Sequence, residues 1–130
     1  MSPDVEKKNA PKLVIGLIRG EMARGLEAHF KQIGWRVCSA DSGHELRERT
    51  RGGRATAVVL PVSAEGIESG FLTCAKLIRV MPKTRFVLVG PLSDENERLA
   101  RFAGAAGYVT ETATTAELIA AVTGKPIKAS

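Results

Sequence analysis

Few residues of this chain stand where they could do chemistry together. His29 and His44 fall on different helical stretches, and no cysteine or acid completes a metal-ligand spacing with either. Cys38 and Cys74 are the two cysteines, without CxxC spacing, and read as reduced, partly buried thiols. Ser63 lies in no GxSxG elbow and has no histidine in reach. Gly16, Gly20 and Gly25 do not make GxGxxG, and Ser39-Ala40 puts no acid where a dinucleotide ribose would need one. The residues therefore predict a protein that is not an enzyme, holds no metal and needs no cofactor.

The elements that would position a site sharpen this. Apolar runs at 13–18, 57–62 and 86–89 read as buried parallel strands. In an open parallel sheet, ligands and chemistry gather just beyond the carboxyl ends of the strands. Those ends read Leu17-Ile18-Arg19, Leu60-Pro61-Val62 and Val89-Gly90-Pro91. None of the three carries a carboxylate, histidine, cysteine or hydroxyl.

Strand and helix signals alternate along the chain, which predicts a βα-repeat. Strands are expected at 12–18, 35–39, 56–62, 85–89 and 107–110. The first helix carries Met22, Leu26, Phe30 and Ile33 on one stripe and stops at Gly34, a residue suited to the C′ position. Ser42 with Glu45 predicts a capping box for the second helix, which ends near Gly52-Gly53. The third, at 69–81, turns Leu72, Ala75 and Ile78 inward and is stopped by Pro82. Ser93 caps the fourth, at 94–103, and Gly104 ends it. Thr114 and Glu117 form a second capping box for the fifth, whose inward face is Leu118, Ile119 and Val122.

The 130 residues suit one domain at 12–123, between a disordered leader at 1–11 and a tail or linker start at 124–130. No apolar run nears the ~18 residues of a membrane span, and the polar start is no signal peptide, so a cytoplasmic location is expected. The net charge is +5 and the pI about 9.6. The basic residues are scattered among acids, however. Their densest cluster, Arg47, Arg49, Arg51 and Arg54, follows Glu45, a favourable i,i+4 partner of Arg49. A solvated helix end is favoured there over a phosphate grip, and no direct nucleic-acid binding is expected.

Several segments carry a resemblance. Gly34-Trp35-Arg36-Val37, Ala40-Asp41-Ser42-Gly43 and, most specifically, Gly104-Ala105-Ala106-Gly107-Tyr108-Val109 resemble motifs of the CheY-like receiver domains of two-component response regulators. Arg24-Gly25-Leu26 resembles the first helix of the NarL-type subfamily. The resemblance implies an α/β, flavodoxin-like, doubly wound five-stranded parallel sheet, order 2-1-3-4-5, with helices on both faces. It also implies five site positions: two Mg²⁺-binding acids, a phosphoacceptor Asp, a hydroxyl and a lysine. Here Leu17 and Ile18 take the acid pair and Pro61 the phosphoacceptor. Val89 or Gly90 takes the hydroxyl position and Glu111 the lysine. Carbon side chains cannot ligate Mg²⁺, proline offers no nucleophile, and a carboxylate repels a phosphoryl group.

The resemblance thus implies a pseudo-receiver, a signalling module that works without phosphorylation. It would meet protein partners, a second copy among the candidates, through its fourth helix, fifth strand and fifth helix, at Arg98, Arg101, Tyr108, Glu111 and Glu117. The alternative is the regulatory N-terminal domain of a NarL/LuxR-type transcription factor. Arg19, above the emptied site, is either a solvated loop residue, a partner of Glu65 or Glu68 that locks one conformation, or an anion ligand beside the first helix.

Overall fold

A computed structural model describes residues 10–51, 54–64 and 68–125. The expectations for residues 1–9, for Gly52-Gly53, for Glu65 and for 126–130 lie outside that range. The chain runs β1 (Lys12–Gly16), α1 (Glu21–Gln32), β2 (Arg36–Ala40), α2 (Gly43–Arg51), β3 (Ala57–Pro61), α3 (Gly70–Val80), β4 (Arg85–Gly90), α4 (Asp94–Phe102), β5 (Gly107–Thr110) and α5 (Thr115–Thr123). The five strands form one parallel sheet in the order β2-β1-β3-β4-β5. This is the flavodoxin-like arrangement the resemblance implied.

Parallel strands covered on both faces read as continuous apolar runs. That is why β1 and most of β3 and β4 are buried at consecutive positions. Alternate residues serve two cores. Leu13, Ile15, Val59 and Val87 pack with Leu26 and Phe30 of α1 and Leu118 and Val122 of α5. Val14, Val58, Leu60 and Leu88 pack with Leu46 of α2, Cys74 and Leu77 of α3 and Ala100 of α4. Burial among these side chains pushes the Cys74 thiol up to about 11, because a thiolate there would lose its water. Cys38 is half-buried on β2, and both cysteines are free.

Local caps set the helix ends. Ser69 and Ser93 accept from the backbone N–H of Leu72 and Asn96, each at 3.1 Å. Thr114 and Glu117 make the full capping box. Ser42 accepts from the Glu45 N–H at 3.1 Å, while the Glu45 carboxylate accepts from the N–H of Asp41 rather than of Ser42. The Glu45–Arg49 pair is present at 3.9 Å.

Two side chains depart from their expected faces. Ile33 is the C-cap of α1 and 53% exposed, because the helical stripe ends with Phe30 and Gly34 turns the chain at φ 90°. Leu72 is 46% exposed, and α3 instead buries Gly70, Thr73, Cys74 and Leu77. Apolar residues on several sides of α3 left its rotation ambiguous. Gly70 decides it, because a Cβ at this position would collide with the carbonyl oxygen of Pro61. Only a glycine lets α3 begin so close to the end of β3. No helix among the described residues is long and apolar enough to cross a membrane.

Candidate functional site

The carboxyl ends of β1, β3, β4 and β5 surround a shallow depression of about 260 Å³ lined by Leu17, Ile18, Arg19, Met22, Pro61, Val89 and Glu111. Leu17 ends β1 by taking a left-handed conformation, φ 59°, unusual for a residue with a side chain. Its N–H donates to the Ala40 carbonyl at 2.8 Å, which holds the loop against β2. Leu17 packs against the core under α2, α3 and α4, and Ile18 against the core under α1 and α5.

Pro61 is tolerated at the end of a central strand for a specific reason. The β1–β3 register stops at Ile15 opposite Val59, so the N–H that Pro61 lacks has no β1 partner to miss. The next N–H, of Val62, donates to the Val89 carbonyl at 2.8 Å and continues the β4 ladder. Val89 is buried beside the depression, and Gly90 is not among its lining residues. Glu111 follows β5, its N–H donating to the Gly90 carbonyl at 3.0 Å, and its exposed side chain lines the rim.

Arg19 reaches Asp41, at 3.9 Å between two largely exposed side chains. It does not pair with Glu68, whose carboxylate accepts from Lys76 at 2.9 Å. Glu68 stands just before α3 and meets Lys76, eight residues on, while Asp41 follows the end of β2, the strand against which the β1–α1 loop is held. An exposed pair of this kind contributes little stability.

Gly90 opens a second feature. A Cβ at residue 90 would stand 2.6 Å from the Tyr108 Oη and 2.7 Å from a Val62 methyl. The missing side chain is what lets Tyr108 lie over the end of β4. There its hydroxyl donates to the Pro91 carbonyl and accepts from Asn96 Nδ2 of α4 at 3.4 Å. Arg98 and Arg101 stand exposed on the outer side of α4, with Arg101 paired to Glu97 at 3.8 Å. Glu117 is occupied by the α5 capping box, and α5 packs on the opposite face of the sheet from α4. The five candidate interaction residues therefore fall in three places: Arg98, Arg101 and Tyr108 around α4, Glu111 on the strand-end rim, and Glu117 at the start of α5.

The α4 surface also carries apolar side chains that the sequence reading passed over. Leu92 is 88% exposed, Phe102 93% and Leu99 43%. The available signal was the small inward pair Ala100 and Ala103, which leaves the large residues of that helix facing out.

The comparisons with protein families and with curated proteins give no match. Solved structures do match. The BeF3-activated receiver domain of DrrB aligns with 85% of this chain and 92% of its own, at 24% identity and a TM-score of 0.74. The signal receiver domain of NarL from Mycobacterium tuberculosis aligns with 88% of this chain and 94% of its own, at 22% identity and a TM-score of 0.72. A response regulator from Burkholderia pseudomallei, solved with a phosphorylated aspartic acid, aligns at 21% identity and a TM-score of 0.73, and this chain spans 66% of it.

The fold is that of a response-regulator receiver.

On a receiver the strand-end depression is where a Mg²⁺ ion would be expected. The residues present do not fit one. A small hard cation needs several oxygen ligands in octahedral geometry. Leu17, Ile18 and Pro61 offer only carbon side chains, and Glu111 alone supplies a carboxylate to the lining. Among the described residues, no three His, Cys, Asp or Glu side chains gather closely enough to hold a metal.

Proposed function

We propose that this chain is a pseudo-receiver: a non-enzymatic signalling module that works without phosphorylation and binds protein partners through the α4–β5–α5 face. The observation that carries the reading is the carbon lining of the strand-end depression by Leu17, Ile18, Pro61 and Val89, with Glu111 at its rim. Phosphoryl transfer needs a nucleophile, a counter-cation and donors for the developing charge. At this end of the sheet the described residues supply none of these in reach of one another. Incubation with acetyl phosphate and Mg²⁺ should leave the intact mass unchanged. A stoichiometric phosphoryl adduct on any carboxylate would overturn the proposal.

The partner surface is supported by the make-up of α4. Exposed Leu92, Leu99 and Phe102 can form the apolar centre of an interface, with the exposed Arg98 and Arg101 of α4 as its charged neighbours. Aromatic residues and arginine are the types that most often dominate binding energy. Arg101→Glu combined with Phe102→Ala should weaken partner binding or self-association about tenfold or more. Both side chains are exposed, so circular dichroism should be unchanged. Analytical ultracentrifugation or a partner titration reads the effect, and unchanged association in the folded variant would move the interface elsewhere.

A narrower reading, the regulatory domain of a NarL/LuxR-type transcription factor, is favoured by Arg24-Gly25-Leu26 in α1 and by the likeness to the NarL receiver domain. Expression of the native full-length protein followed by a duplex-DNA gel shift tests it.

A further inference from the structure

A larger cavity lies at the other end of the sheet. It occupies about 480 Å³ beside the amino ends of β3 and β4, between the α2–β3 and α3–β4 loops. β4 is six residues long, so this cavity is about 20 Å from the strand-end depression. Val80, Met81 and Pro82 give it an apolar wall, and Val80 is 60% exposed although it ends a helix packed on the core. Two cations, Arg54 and Lys83, reach it from separate loops, and no acid is among its lining residues. Among the described residues neither cation makes an ion pair.

Arg54 is held there in a left-handed conformation, φ 51°, which disfavours any residue with a Cβ. The neutral polar groups of the lining are engaged elsewhere. Thr84 Oγ1 donates to the Ala55 carbonyl at 2.6 Å, and Thr56 Oγ1 accepts from the Lys12 N–H at 3.0 Å. The cavity thus has an apolar floor and two exposed positive arms, but no free polar side chain to orient a small polar ligand. That combination matches a protein segment better than a metabolite, since a side chain fills the floor while neighbouring residues supply charge.

We propose that this cavity is a docking site for an acidic segment of a partner protein, which seats one large apolar side chain against Val80, Met81 and Pro82 and places flanking carboxylates on Arg54 and Lys83. Charge complementarity selects the occupant: the charged residues of the lining are both cations, and the net charge of +5 steers acidic partners toward the molecule. The site is distinct from the α4–β5–α5 face, so either can fail without the other.

The test is an NMR titration of the full chain with the blocked peptide Asp-Glu-Phe-Glu-Asp, with Asp-Glu-Gly-Glu-Asp and Lys-Lys-Phe-Lys-Lys as controls. Saturable amide shifts are expected at Arg54, Val80, Lys83 and Thr84, with both control peptides about tenfold weaker or more. Binding should also fall steeply as salt is raised, because the charged contacts are exposed. Arg54→Gly with Lys83→Ala should weaken the peptide about tenfold. Glycine accepts the left-handed conformation without strain, so this variant should melt no lower than the parent. Shifts absent from this end of the sheet, an equal response to the basic peptide, or undiminished binding by the double variant would each overturn the proposal.

Discussion

Pro61→Asp should lower the melting temperature and still take up no phosphoryl group. The new carboxylate would share its depression with Leu17, Ile18 and Val89, with no metal-ligand set and no lysine to meet it. Burying part of an unpaired carboxylate costs roughly 2 kcal/mol, or about 8 °C in a domain of this size. Loss of the proline also frees the unfolded chain and adds to the cost. The sign of the pH dependence follows from desolvation. An acid there would hold its proton to higher pH in the folded state than in the unfolded one. The penalty should therefore be small below the ordinary carboxylate pKa and grow as pH rises through the folded value. Thermal melts from pH 4 to 8, spanning about four units around that range, check it, with intact-mass analysis alongside. Phosphoryl uptake by this single variant would show that the wrong pocket had been assigned.

Gly70→Ala should be as damaging, by a different mechanism. The added methyl would meet the Pro61 carbonyl oxygen and stand 2.9 Å from the Val62 Cα, and both are backbone atoms. A flexible side chain could give way, but the end of β3 cannot. It is held by the Gly70 N–H on the Val62 carbonyl and the Val62 N–H on the Val89 carbonyl, both at 2.8 Å. The first turn of α3 must then back away and loosen Thr73, Cys74 and Leu77. We expect a loss of about 3 kcal/mol, or about 12 °C, although alanine is the better helix former. Gly107→Ala is the control. Its methyl would meet Ala121 at 3.5 Å, an ordinary contact, and should change stability by less than about 0.5 kcal/mol.

The sequence made the alternation of strands and helices legible because each element carries its own marker. Buried strands show as unbroken apolar runs, and Ser93 and Thr114 announce helix starts through bonds made within one turn. The residues at the strand ends were legible for the same reason, since a strand's end is a local property. What depended on tertiary approach was not. The rotation of α3, and with it the exposure of Leu72, is set by contact between Gly70 and Pro61 from another element. The partner of Arg19 depends on how the loop after β1 lies against the end of β2. The amino-end cavity brings Arg54 and Lys83 together from loops with no shared pattern in the chain. Leu99 and Phe102 went unread for another reason: Ala100 supplies the inward side of α4, which leaves the large apolar residues of that helix exposed.

Leu17 and Ile18 are pegs driven into opposite sides of the sheet, one into each core. A lineage carrying this chain could not drift easily toward a metal-binding pocket. Replacing either residue by an acid would withdraw apolar surface from one core, at roughly 1–2 kcal/mol, before any second ligand existed to reward the change. Replacing both would weaken the molecule on both faces at once. Each intermediate on such a path is less stable than its predecessor and gains no activity in exchange, so the packing of these two side chains entrenches a strand end lined by carbon.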